Sequence, residues 1–186
     1  MTMIAGVANG IRGALLLARG QPRGVYLVEN NHAAAAHSQW SIALSLPAVV
    51  SMKLLGWIGG LPANAPLALG RYLLLFVIGW LLFVWASHAL AERLNLAGRW
   101  PRFIALWSYC SVVENTLFAL GVLPGALGVP SVIAEACELV TLGWALWLDW
   151  YAVRVGLDVS PLAAVGLVLV DVGIGIAMGM LTSLSG

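Results

Sequence analysis

The chain has 186 residues, of which 61% are hydrophobic and only 9% charged, and its formal net charge is +1. Soluble domains average about 25% charged residues, so this composition excludes an ordinary soluble domain and predicts a single membrane domain. No block of Lys or Arg is present to neutralise phosphates, which argues against nucleic acid as a partner. The two cysteines, Cys110 and Cys137, lie in apolar stretches and indicate neither a disulfide framework nor a metal cluster.

Residues 1–37 are predicted to form a cytoplasmic or interfacial arm. The apolar run before Arg19 is short and lacks a cleavage site, so it does not resemble a secretory signal. A helix over residues 3–19 would place apolar side chains on one stripe, with Arg12 away from it, and this pattern favours a helix lying in the membrane interface. The alternative is a cytoplasmic arm with partial helicity. The stripe consists of Ile4, Val7, Ile11, Ala14 and Leu15.

Residues 38–186 are predicted to form about five transmembrane spans. A spanning helix needs roughly 20 mainly apolar residues because the hydrocarbon core is about 30 Å thick. Breaks that contain proline or glycine separate the candidate spans. The predicted fold is therefore an all-α integral membrane bundle with an amphipathic N-terminal arm. The spans lie at about residues 38–60, 67–90, 101–123, 130–153 and 160–181.

Basic residues predict the orientation of these spans. Seven of the nine basic residues lie before the first span or in two alternate connections, whereas the other connections carry no charge. The positive-inside bias therefore predicts a cytoplasmic N-terminus and a periplasmic tail over residues 182–186, in a bacterial inner membrane. Arg71, near the outer end of the second span, departs from this pattern. The seven are Arg12, Arg19, Arg23, Arg93, Arg99, Arg102 and Arg154.

Polar residues recur at similar depths in four of the spans and form a candidate intramembrane belt. Three interpretations stay open: a lysine–acid pair that ties helices together, protonated acids that hydrogen-bond, or a proton or cation site in a polar cavity. No discontinuous helix pair or inverted repeat is visible, although both are common in secondary transporters. Counting about 1.5 Å per residue, the belt contains Lys53, Glu114, Asn115, Glu138 and Asp171, with Glu135 one turn further out.

A shallower layer contains His88 and Asp149, each about 6–8 Å from the inner face by the same count, with Arg154 nearby. We interpret these three residues as polar anchors at the water edge, where His88 and Asp149 are close enough to hydrogen-bond. The chain contains neither a metalloprotease His–Glu spacing nor a Gly-x-Ser-x-Gly elbow. It therefore predicts a non-enzymatic protein with no catalytic residue, cofactor or metal ligand.

Two segments resemble the bacterial branch of the Yip domain (Ypt-interacting-protein-like) multi-span membrane family. They are residues 14–24 (ALLLARGQPRG) and 148–171 (LDWYAVRVGLDVSPLAAVGLVLVD). The resemblance implies the five-span layout more than an activity, because the Rab-linked trafficking of eukaryotic members has no bacterial counterpart. The acidic belt departs from the family. An acidic-aromatic pair followed by Ala-x-Arg-x-x-Leu-x-Val-Ser is matched by Asp149, Trp150, Arg154, Leu157, Val159 and Ser160.

Two functions follow from the sequence. Short loops favour lateral partners, so the first is a scaffold or accessory subunit that associates, within the lipid bilayer, with a larger inner-membrane complex or with further copies of itself. The alternative is a proton- or cation-coupled carrier that uses Lys53 and the acids Glu114, Glu138 and Asp171.

Overall fold

The computed structural model describes residues 3–183, which form helices and no strand. The predicted all-α membrane bundle is confirmed. The side chain of Ile4, from the predicted stripe, and the tail residues 184–186 lie outside the described part. The helices are α1 (Met3–Leu17), a 3-10 helix (Pro22–Leu27), α2 (His32–Ser38), α3 (Ser41–Leu55), α4 (Ala65–Arg93), α5 (Trp100–Gly121), α6 (Leu123–Ala126), α7 (Ser131–Leu157) and α8 (Pro161–Ser183).

Within residues 3–183, four helical segments are long and apolar enough to cross a membrane. They are α4, α5 together with the short α6, α7 and α8, and they contain 23 to 29 residues each. At about 1.5 Å per residue, they extend beyond the roughly 30 Å of a hydrocarbon core. These segments correspond to the second to fifth predicted spans.

The predicted first span, residues 38–60, is not among these four segments; it contains α3, which α2 precedes across a short break. Alone, α3 has 15 residues, which gives only about 22 Å. The helix is interrupted at Gln39 and Trp40, whose backbone N–H groups bond three residues back instead of four. Near the interruption, Ser38 Oγ donates to the Ala35 carbonyl, and serine hydroxyls compete in this way for helix carbonyls. The structure thus contains a discontinuous helix over residues 32–55, whose break lies near the predicted start of the span at residue 38.

Two side-chain contacts orient the discontinuous helix. Gln39 accepts a hydrogen bond from Trp80 Nε1, while Lys53 lies over the Tyr72 ring. Gln39, just before α3, thus contacts residue 80 of α4, whereas Lys53, near the end of α3, contacts residue 72. The two helices therefore run in opposite directions. The central helix of the bundle is α5, which packs against α1, α2, α3 and α7, while α8 packs against α4 and α7.

The N-terminal helix α1 packs against α5 and α7 as part of the core. Ala14 and Leu17 are fully buried in a cluster that includes Tyr109 and Leu148, with Val7 and Ile11 partly buried against it. Leu15, predicted on the same stripe, is 43% exposed, because it lies about 100° around the helix from Ala14. The interfacial position of the arm and its boundary at residue 37 stay predictions.

Candidate functional site

Three carboxyl groups from three helices meet at one cavity, which we call the acidic cavity. Glu114 on α5, Asp149 on α7 and Asp171 on α8 line this space of about 540 Å³, which α4 closes on a further side. Counted from the helix ends at Trp100, Leu157 and Pro161, which lie at the same end of the bundle, the three residues lie about 21, 12 and 15 Å into the bundle.

The carboxyl groups of the acidic cavity have few partners. Glu114 Oε1 and Asp149 Oδ1 are buried without a hydrogen-bond partner among the described residues. Asp171 Oδ2 accepts a hydrogen bond from Trp107 Nε1 at 3.4 Å. No basic side chain of residues 3–183 lines the space. Because an unpaired buried charge is strongly unfavourable, three carboxyl groups here require protons or a cation to compensate them.

Aromatic rings form much of the wall of the acidic cavity. The rings of Trp80 and Trp107 lie 4.8 Å apart at 60°, and Tyr72, Phe76 and Phe118 also line the space. Aromatic faces attract cations. In the part of the chain that the structure describes, no three His, Cys, Asp or Glu side chains are grouped closely enough to hold a metal ion. Rings and separated carboxyl groups suit a cation larger than a single metal ion.

The acidic cavity is connected to the interruption between α2 and α3. Trp80 Nε1 donates to Gln39 Oε1 at 2.9 Å, and the amide of Gln39 also reaches Ser108 Oγ at 3.3 Å. Trp80 packs against Trp107, which in turn bonds Asp171. The residue at the helix break is therefore joined to a cavity carboxyl group through two tryptophans.

A second, adjoining pocket contains the two remaining acids of the predicted belt. Glu135 and Glu138 line a space of about 440 Å³ that shares Phe118 and Leu142 with the acidic cavity. Both acids are exposed to the surroundings of the bundle. Acidic side chains thus continue from the acidic cavity along the groove between α5 and α7.

The predicted pairing of Lys53 with Glu114 or Glu138 is not found. Lys53 Nζ lies 4.9 Å from the centre of the Tyr72 ring and 5.6 Å from that of Trp57. Counting residues gives the depth of a side chain but not the direction in which it points around its helix. Asn115, by contrast, lines the acidic cavity, where its amide donates to the Ser111 carbonyl at 2.7 Å.

The three residues of the predicted shallow layer, His88, Asp149 and Arg154, do not lie together. Asp149 lies in the acidic cavity, because α7 continues to Leu157, past the predicted end of the span at residue 153, and so places Asp149 deeper. His88 is near Glu92, at 3.9 Å, and packs edge-on against Trp100. The expected His88–Asp149 hydrogen bond is absent from the described contacts. Arg154 is exposed and lies over the Trp150 ring.

Trp107 is a site residue that the predicted polar belt does not include. It is only 4% exposed and its indole faces Asp171. The sequence does contain a signal for it. Four residues of α5 share one helical face because they are spaced at i, i+4, i+7 and i+8. They are Trp107, Ser111, Glu114 and Asn115. No comparable signal marks Gln39, since its partners lie on α4 and α5.

Comparison with known proteins finds no matching family model, curated protein or solved structure. The Yip resemblance therefore stays a prediction. Residues of its second motif have clear structural positions: Trp150 Nε1 donates to the Pro161 carbonyl at 3.1 Å, and Leu157 is buried. The hydrogen bond of Trp150 thus joins α7 to the start of α8.

Proposed function

We propose that the protein is a small membrane carrier that exchanges protons for a cation at the acidic cavity. The proposal depends on one observation. The acidic cavity is lined by three carboxyl groups, and none of the described residues that line it is basic. The three are Glu114, Asp149 and Asp171. The proposed function does not involve an enzymatic reaction. The positive-inside bias supports placing the protein in a bacterial inner membrane with its N-terminus in the cytoplasm.

The physical reason is charge compensation. A low-dielectric space does not hold several uncompensated carboxylates. Glu114 and Asp149 each have an oxygen without a hydrogen-bond partner in the described structure, so a proton or a bound cation is needed there. The two ways of compensating the same charges exclude one another, and such competition is the basis of exchange.

The lining of the cavity favours an organic cation. Aromatic faces lie beside the carboxyl groups, and they belong to Trp80, Trp107 and Phe76. A substituted ammonium group can pair with a carboxylate and also pack against an aromatic ring. Glu138 lies in the adjoining pocket. We propose that this pocket forms part of the route by which the cation reaches the acidic cavity.

The discontinuous helix supports a carrier over a purely structural role. Interrupted helices beside a midplane site are common in secondary transporters. Here the interruption at Gln39 is connected to Asp171 through Trp80 and Trp107. A change in the charge of the cavity is thereby coupled to the position of α2 and α3.

Flux in liposomes tests the proposal. Purified protein is reconstituted with a pH gradient, and uptake of ethidium, a planar organic cation, is followed by fluorescence. We expect gradient-dependent uptake that falls at least about tenfold in Glu114→Gln and Asp171→Asn. Glu92→Gln serves as the matched control, because Glu92 has a 61% exposed side chain outside the cavity. Equal uptake by the wild type, the cavity variants and empty liposomes would refute the proposal.

A second candidate function is that of an accessory subunit with a lateral partner, and the surface of α8 favours it. The Cβ positions of Gly166, Gly173, Gly175 and Gly179 open into free space, and small residues let a neighbouring helix approach closely. Replacing Gly166 and Gly173 by Leu tests this role, because neither residue lines the acidic cavity. Loss of a co-purifying protein or of a homo-oligomer supports it, whereas an unchanged monomer argues against it.

A further inference from the structure

A separate cavity lies at the end of the bundle where α7 ends and α5 and α8 begin. Its volume is about 640 Å³, and Arg99, Arg102 and Arg154 line it together with one acid, Asp158. We call it the arginine pocket. It shares no lining residue with the acidic cavity.

The positive charge of the arginine pocket exceeds its negative charge. Asp158 pairs with Arg99 at 3.4 Å, and Arg99 also donates to the carbonyls of Leu157 and Asp158. The guanidinium groups of Arg102 and Arg154 then have no carboxylate partner among the described ion pairs. Two cationic groups therefore face one space without compensation.

Arg102 supplies a buried donor that needs an acceptor. Its Nε is buried and has no hydrogen-bond partner within the described residues. Leaving such a donor unsatisfied is costly. A guanidinium group matches the oxygens of a phosphate group in two parallel hydrogen bonds, so an anion in the pocket would compensate the charge of this side chain.

Hydrogen bonds connect the walls of the arginine pocket to neighbouring segments. Asn30 Nδ2 donates to the Gly98 carbonyl at 2.9 Å, and Asn30 Oδ1 accepts from the Arg102 backbone N–H at 3.1 Å. Tyr151 OH donates to the Gly20 carbonyl at 3.0 Å. Contacts of this kind hold the segment after α1 against α5 and α7 and keep the arginines in place.

We infer that the arginine pocket binds the phosphate group of an anion. The pocket lies at the end of the membrane-crossing helices α7 and α8, where lipid headgroups lie, and Tyr26 at its rim is 77% exposed, as aromatic residues at the headgroup level are. The phosphate group has two sources, the headgroup of an acidic phospholipid or free phosphate. The inference is independent of the proposed carrier function.

Binding to the full-length protein in a neutral maltoside detergent tests the inference. The probes are short-chain phosphatidylglycerol, phosphatidylcholine of the same chain length and inorganic phosphate, and the readout is the dissociation constant from titration. We expect saturable binding of phosphatidylglycerol or of inorganic phosphate that weakens about tenfold in Arg102→Gln and in Arg154→Gln. Arg154 is exposed, so its replacement leaves the fold intact even if Arg102→Gln does not.

The outcomes distinguish a lipid headgroup from free phosphate, and they also show whether the inference is wrong. Tight binding of phosphatidylglycerol but not of inorganic phosphate identifies a lipid headgroup, and tight binding of both identifies a general phosphate site. Arg93→Gln is the matched control, since Arg93 ends α4 outside the pocket and its loss should not change affinity. Equal binding of phosphatidylcholine, no binding of any probe, or equal loss in the control would overturn the inference.

Discussion

The indole N–H of Trp107 on α5 donates a hydrogen bond to Oδ2 of Asp171 on α8, at 3.4 Å. The same ring packs against Trp80 and Phe83, with centroids 4.8 and 4.4 Å away. A buried tryptophan normally directs its single donor to a partner, and here the partner is a carboxyl group of the acidic cavity. Trp107 therefore belongs both to the hydrophobic core and to the candidate site.

Replacing Trp107 by Phe keeps most of the ring and removes the N–H donor. We expect the free energy of unfolding to fall by roughly 1–3 kcal/mol, since a buried polar partner is lost and the core is slightly underfilled. Thermal unfolding in detergent measures this change. Trp85→Phe is the control, because Trp85 is 69% exposed and its loss should change little. Equal effects of the two substitutions would contradict the assigned position of Trp107.

Replacing Gln39 by Leu removes the bonds that hold the helix break against α4 and α5. Two hydrogen bonds, to Trp80 and Ser108, are lost, at a cost of about 1 kcal/mol each. Backbone amides near Gln39 and Trp40 should then exchange with deuterium faster, because the interrupted turn is less restrained. Gln21→Leu, in the connection after α1, should leave this exchange unchanged. An unaltered exchange rate at residues 39–44 in Gln39→Leu would show that the bonds do not restrain the break.

Replacing Gly10 by Ala tests the packing of α1 against the bundle. The added Cβ would overlap the ring of Tyr109, so the ring has to move, and overpacking of this kind costs about 1–3 kcal/mol. Gly166→Ala in α8 meets no atom within 4 Å and should gain helix propensity instead. Thermal unfolding of the two variants should therefore shift in opposite directions. A stabilised Gly10→Ala variant would mean that α1 does not pack on Tyr109.

Replacing Asp158 by Gly tests the end of α7. Asp158 has a φ of 53°, in the left-handed region, which glycine adopts without strain. Its ion pair with Arg99 involves a side chain that is 84% exposed and therefore contributes little. We expect Asp158→Gly to unfold at the same temperature or slightly higher, and Asp158→Val to lose roughly 1–2 kcal/mol. A lower melting temperature for the glycine variant would assign real stabilisation to the ion pair.

Hydropathy and length predict the membrane bundle because both are properties of a continuous segment. The helices α4, α5, α7 and α8 follow from such counting. Counting residues along a helix gives the depth of a side chain in the membrane but not the direction in which it points around the helix. For this reason the sequence predicted Lys53 beside Glu114, although Lys53 packs on Tyr72. The break at Gln39 depends on serine hydroxyls and on Trp80, which lies far away in the sequence. Tertiary contacts of this kind are absent from any local pattern.

Proton release on cation binding distinguishes exchange at the acidic cavity from a structural role of its carboxyl groups. Tetraphenylphosphonium is titrated into weakly buffered detergent solutions of the wild type, Glu114→Gln, Asp171→Asn and the control Glu92→Gln, and released protons are measured with a pH indicator. Competition between protons and a cation at Glu114, Asp149 and Asp171 predicts saturable release from the wild type and the control, and strongly reduced release from both cavity variants. Binding without proton release, or equal release from all four proteins, would contradict exchange at this cavity.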